Sequence, residues 1–199
     1  MKKHLKWIIP VAIVGILVLI VYSSMKGFNN TAVTLQEDAK TKWSNVESAY
    51  QRRTDLVGNL VNTVKGAADF ERGTLTDVIE ARSKATSVNV DAGNLNSSQL
   101  QSFGKAQSGL SSSLSRLLVS VERYPKLQAN KNFMNLQAQL EGTENRINVA
   151  RNRYNEQVGQ YNTHIKKFPN SIFASWFGFE PMTRYQSDEG AEKAPEVEF

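Results

Sequence analysis

Two patterns of hydrophobic and polar positions divide this chain, and each predicts its own kind of helix. From residue 7 to residue 25 no side chain is charged, and Ile8, Ile9, Val11, Ile13, Val14 and the run 16–21 are aliphatic. An apolar helix of roughly 19 residues rises about 30 Å, the hydrocarbon thickness of a bilayer. Trp7 and Tyr22 stand near its two ends, where amphipathic rings favour the interface. A cleaved secretory signal also begins with a basic flank and an apolar core, but this core exceeds the usual length of about 7 to 15 residues. The pattern therefore predicts a retained transmembrane anchor. Lys2, Lys3 and Lys6 precede the span and Lys26 alone follows it closely. By the positive-inside rule the N-terminus is cytoplasmic and the following domain lies on the outer face.

Past a polar stretch at 27–30, which reads as a short connection, apolar residues recur at steps of three and four. Trp43, Val46, Tyr50, Val57, Leu60 and Val64 mark a first amphipathic helix, with Arg53 on the same seam. Leu75, Val78, Ile79, Ala81 and Ala85 mark a shorter second. A third runs through Leu100, Phe103, Leu110, Leu114, Leu117, Leu118 and Val121, behind an Asn- and Ser-rich stretch at 94–98 suited to capping it, and stops at Tyr124 and Pro125. The fourth has the most regular period, through Phe133, Leu136, Leu140, Thr143, Ile147, Ala150, Tyr154, Tyr161, Ile165 and Phe168, closed by Pro169. No run alternates with period two, so the fold class is all-α: a transmembrane helix followed by an antiparallel up-and-down four-helix bundle.

The connection around residues 66–73 leaves two arrangements open, a reversal giving four passes or a kink giving three longer helices. Parity decides where the C-terminus lies. With four passes it returns to the membrane side carrying Ile172, Phe173, Trp176, Phe177 and Phe179. Such a cluster either caps the open end of the core or contacts a membrane or partner. The outer two helices also look longer than the middle two, so part of their seam is expected to lack cover within the chain, which favours self-association.

Composition narrows the chemistry. The chain has 199 residues, enough for one domain with appendages, and no cysteine, which excludes disulfides and thiolate sites. The net charge of +5 is spread among acidic residues rather than gathered into a basic stripe, so no nucleic-acid partner is expected. Of two histidines, His4 belongs to the membrane flank, and His164 lacks the Glu-x-x-His pairing of di-iron bundles. No catalytic elbow, phosphate loop or metal-binding motif occurs, so no catalytic residue, cofactor or metal is expected. A charge on a core seam needs a partner. Glu141 and Glu144, in the middle of the last helix, are the candidates for Arg53, in a pair that would set helix register.

Several stretches resemble the LemA family: 51–66 (QRRTDLVGNLVNTVKG), 114–125 (LSRLLVSVERYP), Asn132-Phe133, 140–147 (LEGTENRI) and 161–165 (YNTHI). The likeness runs from the anchor to Phe179. Gly58 departs from it, standing where the family usually has proline, and a local kink is expected with either residue. The resemblance implies a bacterial protein with an N-terminal transmembrane segment, a four-helix bundle and no agreed enzymatic activity.

The organisation expected is a basic flank (1–6), a membrane helix (7–25), a bundle with an aromatic end (26–182) and a disordered acidic tail (183–199). The function expected is that of a non-enzymatic scaffold in the inner membrane, contacting other envelope proteins or further copies of itself. Membrane shaping through the aromatic segment is the alternative, and a ligand-binding or hydrolytic bundle would need a pocket lined by converging polar groups.

Overall fold

The computed structural model describes residues 2–66, 71–88, 90 and 95–186, the side chains of residues 2–6 excepted. Six α-helices and no strand lie among them: α1 (Lys2–Lys65), α2 (Arg72–Ser87), α3 (Ser97–Val121), the single-turn α4 (Pro125–Gln128), α5 (Lys131–Lys166) and α6 (Asn170–Phe177). The fold is all-α, as the periodicity predicts. Residues 187–199, most of the expected acidic tail, lie outside the described residues.

α1 runs without a break from the apolar span into the amphipathic segment, so the connection expected at 27–30 is helical. Packing explains this. Phe28 and Ala32, one turn apart, are both buried, and that burial outweighs the weak helix propensity of Gly27, Asn29 and Asn30. From Trp7 to Ser24, by contrast, every side chain is exposed. A helix that is apolar on all faces and covered by no other element fits membrane anchoring.

Local signals set the other boundaries. α3 starts in a capping box, where the Gln99 amide donates to Asn96 Oδ1 at 2.9 Å and the Asn96 amide to Gln99 Oε1 at 3.4 Å. It ends at Val121, ahead of Tyr124, and Pro125 then opens α4, where a missing N–H costs nothing. Asn130 caps the start of α5, its side chain accepting from the amides of Asn132 and Phe133 at 2.9 and 3.3 Å.

Contacts between helices decide the parity. Arg82 on α2 donates Nε to the Thr54 carbonyl on α1 at 2.9 Å, and Val64 and Leu75 share a core cluster, so the chain reverses between Gly66 and Glu71. The turn itself, 67–70, lies outside the described residues. α3 runs back along α2, with Arg123 and Glu71 paired at 3.0 Å and Gln107 Nε2 donating to the Ala85 carbonyl at 3.4 Å. α5 opposes α1 through Trp43 beside Tyr154 and Arg53 beside Glu144. Four helices alternate up and down.

The chain forms two compact units, Lys40–Glu156 with Thr183–Phe199, and Met1–Ala39 with Gln157–Met182. The larger unit is filled by side chains from all four helices, among them Val57, Leu60, Val78, Leu110, Leu117 and Ile147, none with measurable exposure. In the smaller, Phe28 and Ala32 of α1 meet Tyr161 and Ile165 of α5 under Ala174 of α6, with Phe173, Phe179 and Met182 packed against them. α1 and α5, at 64 and 36 residues, are indeed longer than α2 and α3, at 16 and 25. The seam expected to lie open there is covered by the chain's own C-terminal part. Phe168, expected on the core face of the last helix, is 83% exposed because α5 has already ended at Lys166.

Candidate functional site

Arg53 is the polar centre of the larger unit. Only 3% exposed, it donates Nη1 to Ser111 Oγ at 2.9 Å and to Glu144 Oε2 at 3.1 Å, and Nη2 to the Gln107 carbonyl at 3.2 Å and Gln107 Oε1 at 2.7 Å. Its guanidinium also lies 4.9 Å from the Tyr50 ring centroid. One side chain of α1 thereby holds both α3 and α5 through four hydrogen bonds, one more than the three donors of an ammonium could make singly. Of the two carboxylates expected as partners, Glu144 makes the pair. Glu141 is exposed on α5 and is not among the partners of Arg53.

A second constellation escapes the helical periodicity. α5 carries the dipeptide Tyr-Asn twice, at 154–155 and 161–162, and both copies grip the extended segment that follows α6. In the smaller unit, Asn162 pairs with both main-chain groups of Met182 at 2.8 and 2.9 Å, while Tyr161 donates to the Glu180 carbonyl at 3.0 Å. In the larger, Asn155 does the same to Tyr185 at 2.9 and 2.8 Å, and Tyr154 donates to the Thr183 carbonyl at 2.7 Å. Seven helical residues rise about 10.5 Å and three extended ones about 10 Å, so a heptad on the helix matches a three-residue step on the strap. The repeat was the available signal, and Tyr185, amid charged neighbours at the head of the expected tail, gave none.

Tyr185 is 5% exposed. Arg151 covers its ring at 4.1 Å, Trp43 stacks near it at 6.4 Å, and its hydroxyl meets that of Tyr50 at 3.2 Å. A Cβ on Gly104 would come within 3.3 Å of that hydroxyl, so the glycine makes room for it. Burial pushes the Tyr154 hydroxyl up to about 12, and raises Tyr50 further still, with the Tyr185 hydroxyl adding to the effect.

Two hollows of the larger unit are surface grooves. One, of about 430 Å³, is lined by Lys42, Asn45, Asn145, Arg146 and Arg153 with Val149 and Ala150. Its three cations form no ion pair among the described residues. No grouping of three or more metal-ligating side chains occurs among the described residues.

The aromatic segment divides between the two roles left open for it. Phe28 receives Phe173, Phe177 and Phe179 at ring distances of 5.8, 6.3 and 5.7 Å, and stacks on His164 at 5.2 Å. Phe173 and Phe179 are half-buried caps. Ile172, Trp176 and Phe177 are 45%, 68% and 46% exposed. His164 Nε2 lies 3.3 Å from the Phe28 carbonyl and its carbonyl accepts from Asn170 at 3.0 Å, which makes it a helix-end residue.

An apolar helix that fits membrane anchoring, continuous with the first helix of a four-helix bundle, is the class of protein that this fold defines. It belongs to the LemA family, whose model matches residues 42–199. It is similar to Magnetosome protein MamQ 2 of Paramagnetospirillum magneticum, 30% identical over 176 residues that cover 79% of this chain and 64% of that protein. It is also similar to Magnetosome protein MamQ of Magnetospirillum gryphiswaldense, 29% identical over 170 residues covering 76% and 62%. Protein LemA of Metamycoplasma hominis is 23% identical over 170 residues, covering 85% of this chain and 74% of its own. The chain thus spans less than two thirds of the length of the magnetosome relatives. None of these names describes an enzymatic activity.

Proposed function

We propose that this protein is a single-pass, membrane-anchored interaction module of the bacterial inner membrane, without enzymatic activity, whose bundle recruits other envelope proteins or further copies of itself. Its N-terminus is cytoplasmic and the bundle stands on the outer face, following the lysines that precede the span. The observation that carries this reading is the division between inside and outside. Trp43, Leu60, Leu110, Ile147 and Tyr154 fill the bundle, and the buried Arg53 spends both terminal nitrogens on Ser111, Glu144 and Gln107, leaving Arg53 Nε and Trp43 Nε1 as the buried side-chain donors without a partner among the described residues. A site for chemistry would need a pocket of converging polar groups. The unspent charge faces outward instead, in the groove of Lys42, Arg146 and Arg153 with the half-exposed Val149 in its lining, which suits a protein segment carrying carboxylates.

The test is a photo-crosslinking amino acid at Val149 of the full chain in intact cells. Discrete protein adducts are expected, with a yield that falls in the Arg146→Glu, Arg153→Glu double variant. An adduct of twice the chain mass would identify a second copy as the partner. Adducts absent, or unchanged by charge reversal, would overturn the reading of this groove. A reaction catalysed by the purified chain would overturn the non-enzymatic reading.

A further inference from the structure

We propose that α6 is a second membrane contact, an interfacial helix that rests on anionic lipid headgroups beside the foot of the transmembrane span. The proposal rests on the anchor reading above. Depth is the first support. The apolar run of α1 ends at Met25, and Phe28, on which α6 packs, lies about 4.5 Å farther along the same helix. Headgroups extend about 5 to 8 Å beyond the hydrocarbon on each side of a bilayer. With residues 7–25 in the hydrocarbon, Phe28 and the aromatic rings against it stand at headgroup level.

Composition is the second. Ile172 and Trp176, one turn apart on α6, share an exposed face; Phe177 beside Trp176 is 46% exposed and Phe168, two residues before the helix, 83%. Left in water, these side chains would form an apolar patch of the kind that soluble surfaces avoid. Tryptophan at headgroup depth gains on both counts, its ring against acyl chains and its N–H among polar groups.

Charge is the third. Lys26, two residues before Phe28, and Lys166 and Lys167, just before α6, are exposed. No acidic residue occurs from 157 to 179 or on α1 from 7 to 36, and the exposed Glu180 is the first carboxylate after α6. With three lysines near α6 in sequence or on the same part of α1 and one carboxylate, Glu180, following it, the excess charge is positive and matches a lipid surface of negative charge, and long lysine stems can keep their ammonium groups at phosphate height.

Intrinsic fluorescence of the full chain tests this. Trp43 is fully buried, so a Trp7→Phe variant reports Trp176 over a constant background, and Trp7→Phe, Trp176→Phe supplies that background. The chain is reconstituted into vesicles of phosphatidylcholine with or without phosphatidylglycerol, each made with and without lipid brominated high on the acyl chain. Flotation scores the anchor. Trp176 emission is expected to shift to the blue and to be quenched by brominated lipid, more strongly with phosphatidylglycerol. The Lys166→Glu, Lys167→Glu variant is expected to lose the phosphatidylglycerol increment. Vesicles that float with the chain while Trp176 stays unquenched would overturn the α6 proposal and leave the anchor standing. Shielding of Trp176 that grows with protein density but ignores brominated lipid would assign the patch to a protein partner. Equal quenching in both lipids would overturn the anionic preference. Failure to float would remove the anchor reading and this proposal together.

Discussion

At the scale of single residues, Arg53 shows how a buried charge becomes tolerable. Three of its four hydrogen bonds end on Ser111 and Gln107 of α3, and its one carboxylate partner, Glu144, keeps 48% of its side chain in solvent. Arg53→Met should cost about 2–4 kcal/mol, because Gln107 is left buried with an unpaired oxygen and the link among three helices is lost. Glu144→Gln should cost under about 1 kcal/mol, as expected of a carboxylate already half in water. Urea denaturation of the two variants checks both, and an Arg53→Met variant as stable as the parent would leave the register role unsupported. The glycines divide in the same way. Nothing lies within 4 Å of a Cβ on Gly142, so Gly142→Ala should stabilise α5 by about 0.5–1 kcal/mol. Gly58→Ala should gain less, because its Cβ would come within 3.1 Å of the Arg82 guanidinium and disturb the bond from Arg82 to Thr54. Thr54 O is also the carbonyl that a proline at 58 would orphan in the helical i to i−4 pattern.

At the scale of elements, α5 does two jobs with two faces. Thr143, Ile147, Tyr154, Tyr161 and Ile165 bury one stripe, while Asn155 and Asn162 beside it grip a strap by its main chain. Bidentate pairing to an amide and a carbonyl of the same residue is what a neighbouring β-strand would offer, here delivered by a helix. Asn155→Ala should cost about 1–3 kcal/mol, since two charge-neutral hydrogen bonds go and the Tyr185 main chain is left half-buried without them. Hydrogen exchange reads this at a single site: the Tyr185 amide should lose protection in Asn155→Ala, while the Met182 amide, held by Asn162, should keep it. Equal loss at both amides would mean that the strap releases as one piece.

At the scale of the whole molecule, the buried phenols tie stability to alkaline pH. Tyr154 and Tyr50 have folded values above the ordinary one near 10, so at high pH the unfolded chain gives up protons that the folded chain keeps. Their contribution is complete below pH 10 and is lost as pH rises through the folded values. Between pH 10 and about 12, Tyr154 alone should remove up to about 1.4 kcal/mol per pH unit. Tyr154→Phe should start about 1 kcal/mol lower, having lost its bond to Thr183, and then fall less steeply over that window. Urea midpoints measured from pH 8 to 12 show whether the two curves converge as they should.

Much of this protein is legible before any coordinates. A helix must bury one stripe, so the three-four spacing determined the four amphipathic segments, and an uncharged run long enough to cross hydrocarbon determined the apolar helix. Even the partner of Arg53 was narrowed to two residues, because a seam charge cannot stand alone. What the spacing could not decide was whether the chain turned back after Gly66, which contacts such as Arg82 to Thr54 settle. Nor could it say what covered the ends of α1 and α5. Tyr185 is no part of a helical stripe. Its burial comes from Trp43, Tyr50, Gly104 and Arg151, residues 34 to 142 positions away that meet only once the helices have folded. The exposed face of α6 has the same origin: Ile172, Phe173 and Trp176 look alike in sequence, and only the fold shows that Phe173 packs into the cluster of Phe28 and Ala174 while Ile172 and Trp176 are left facing outward.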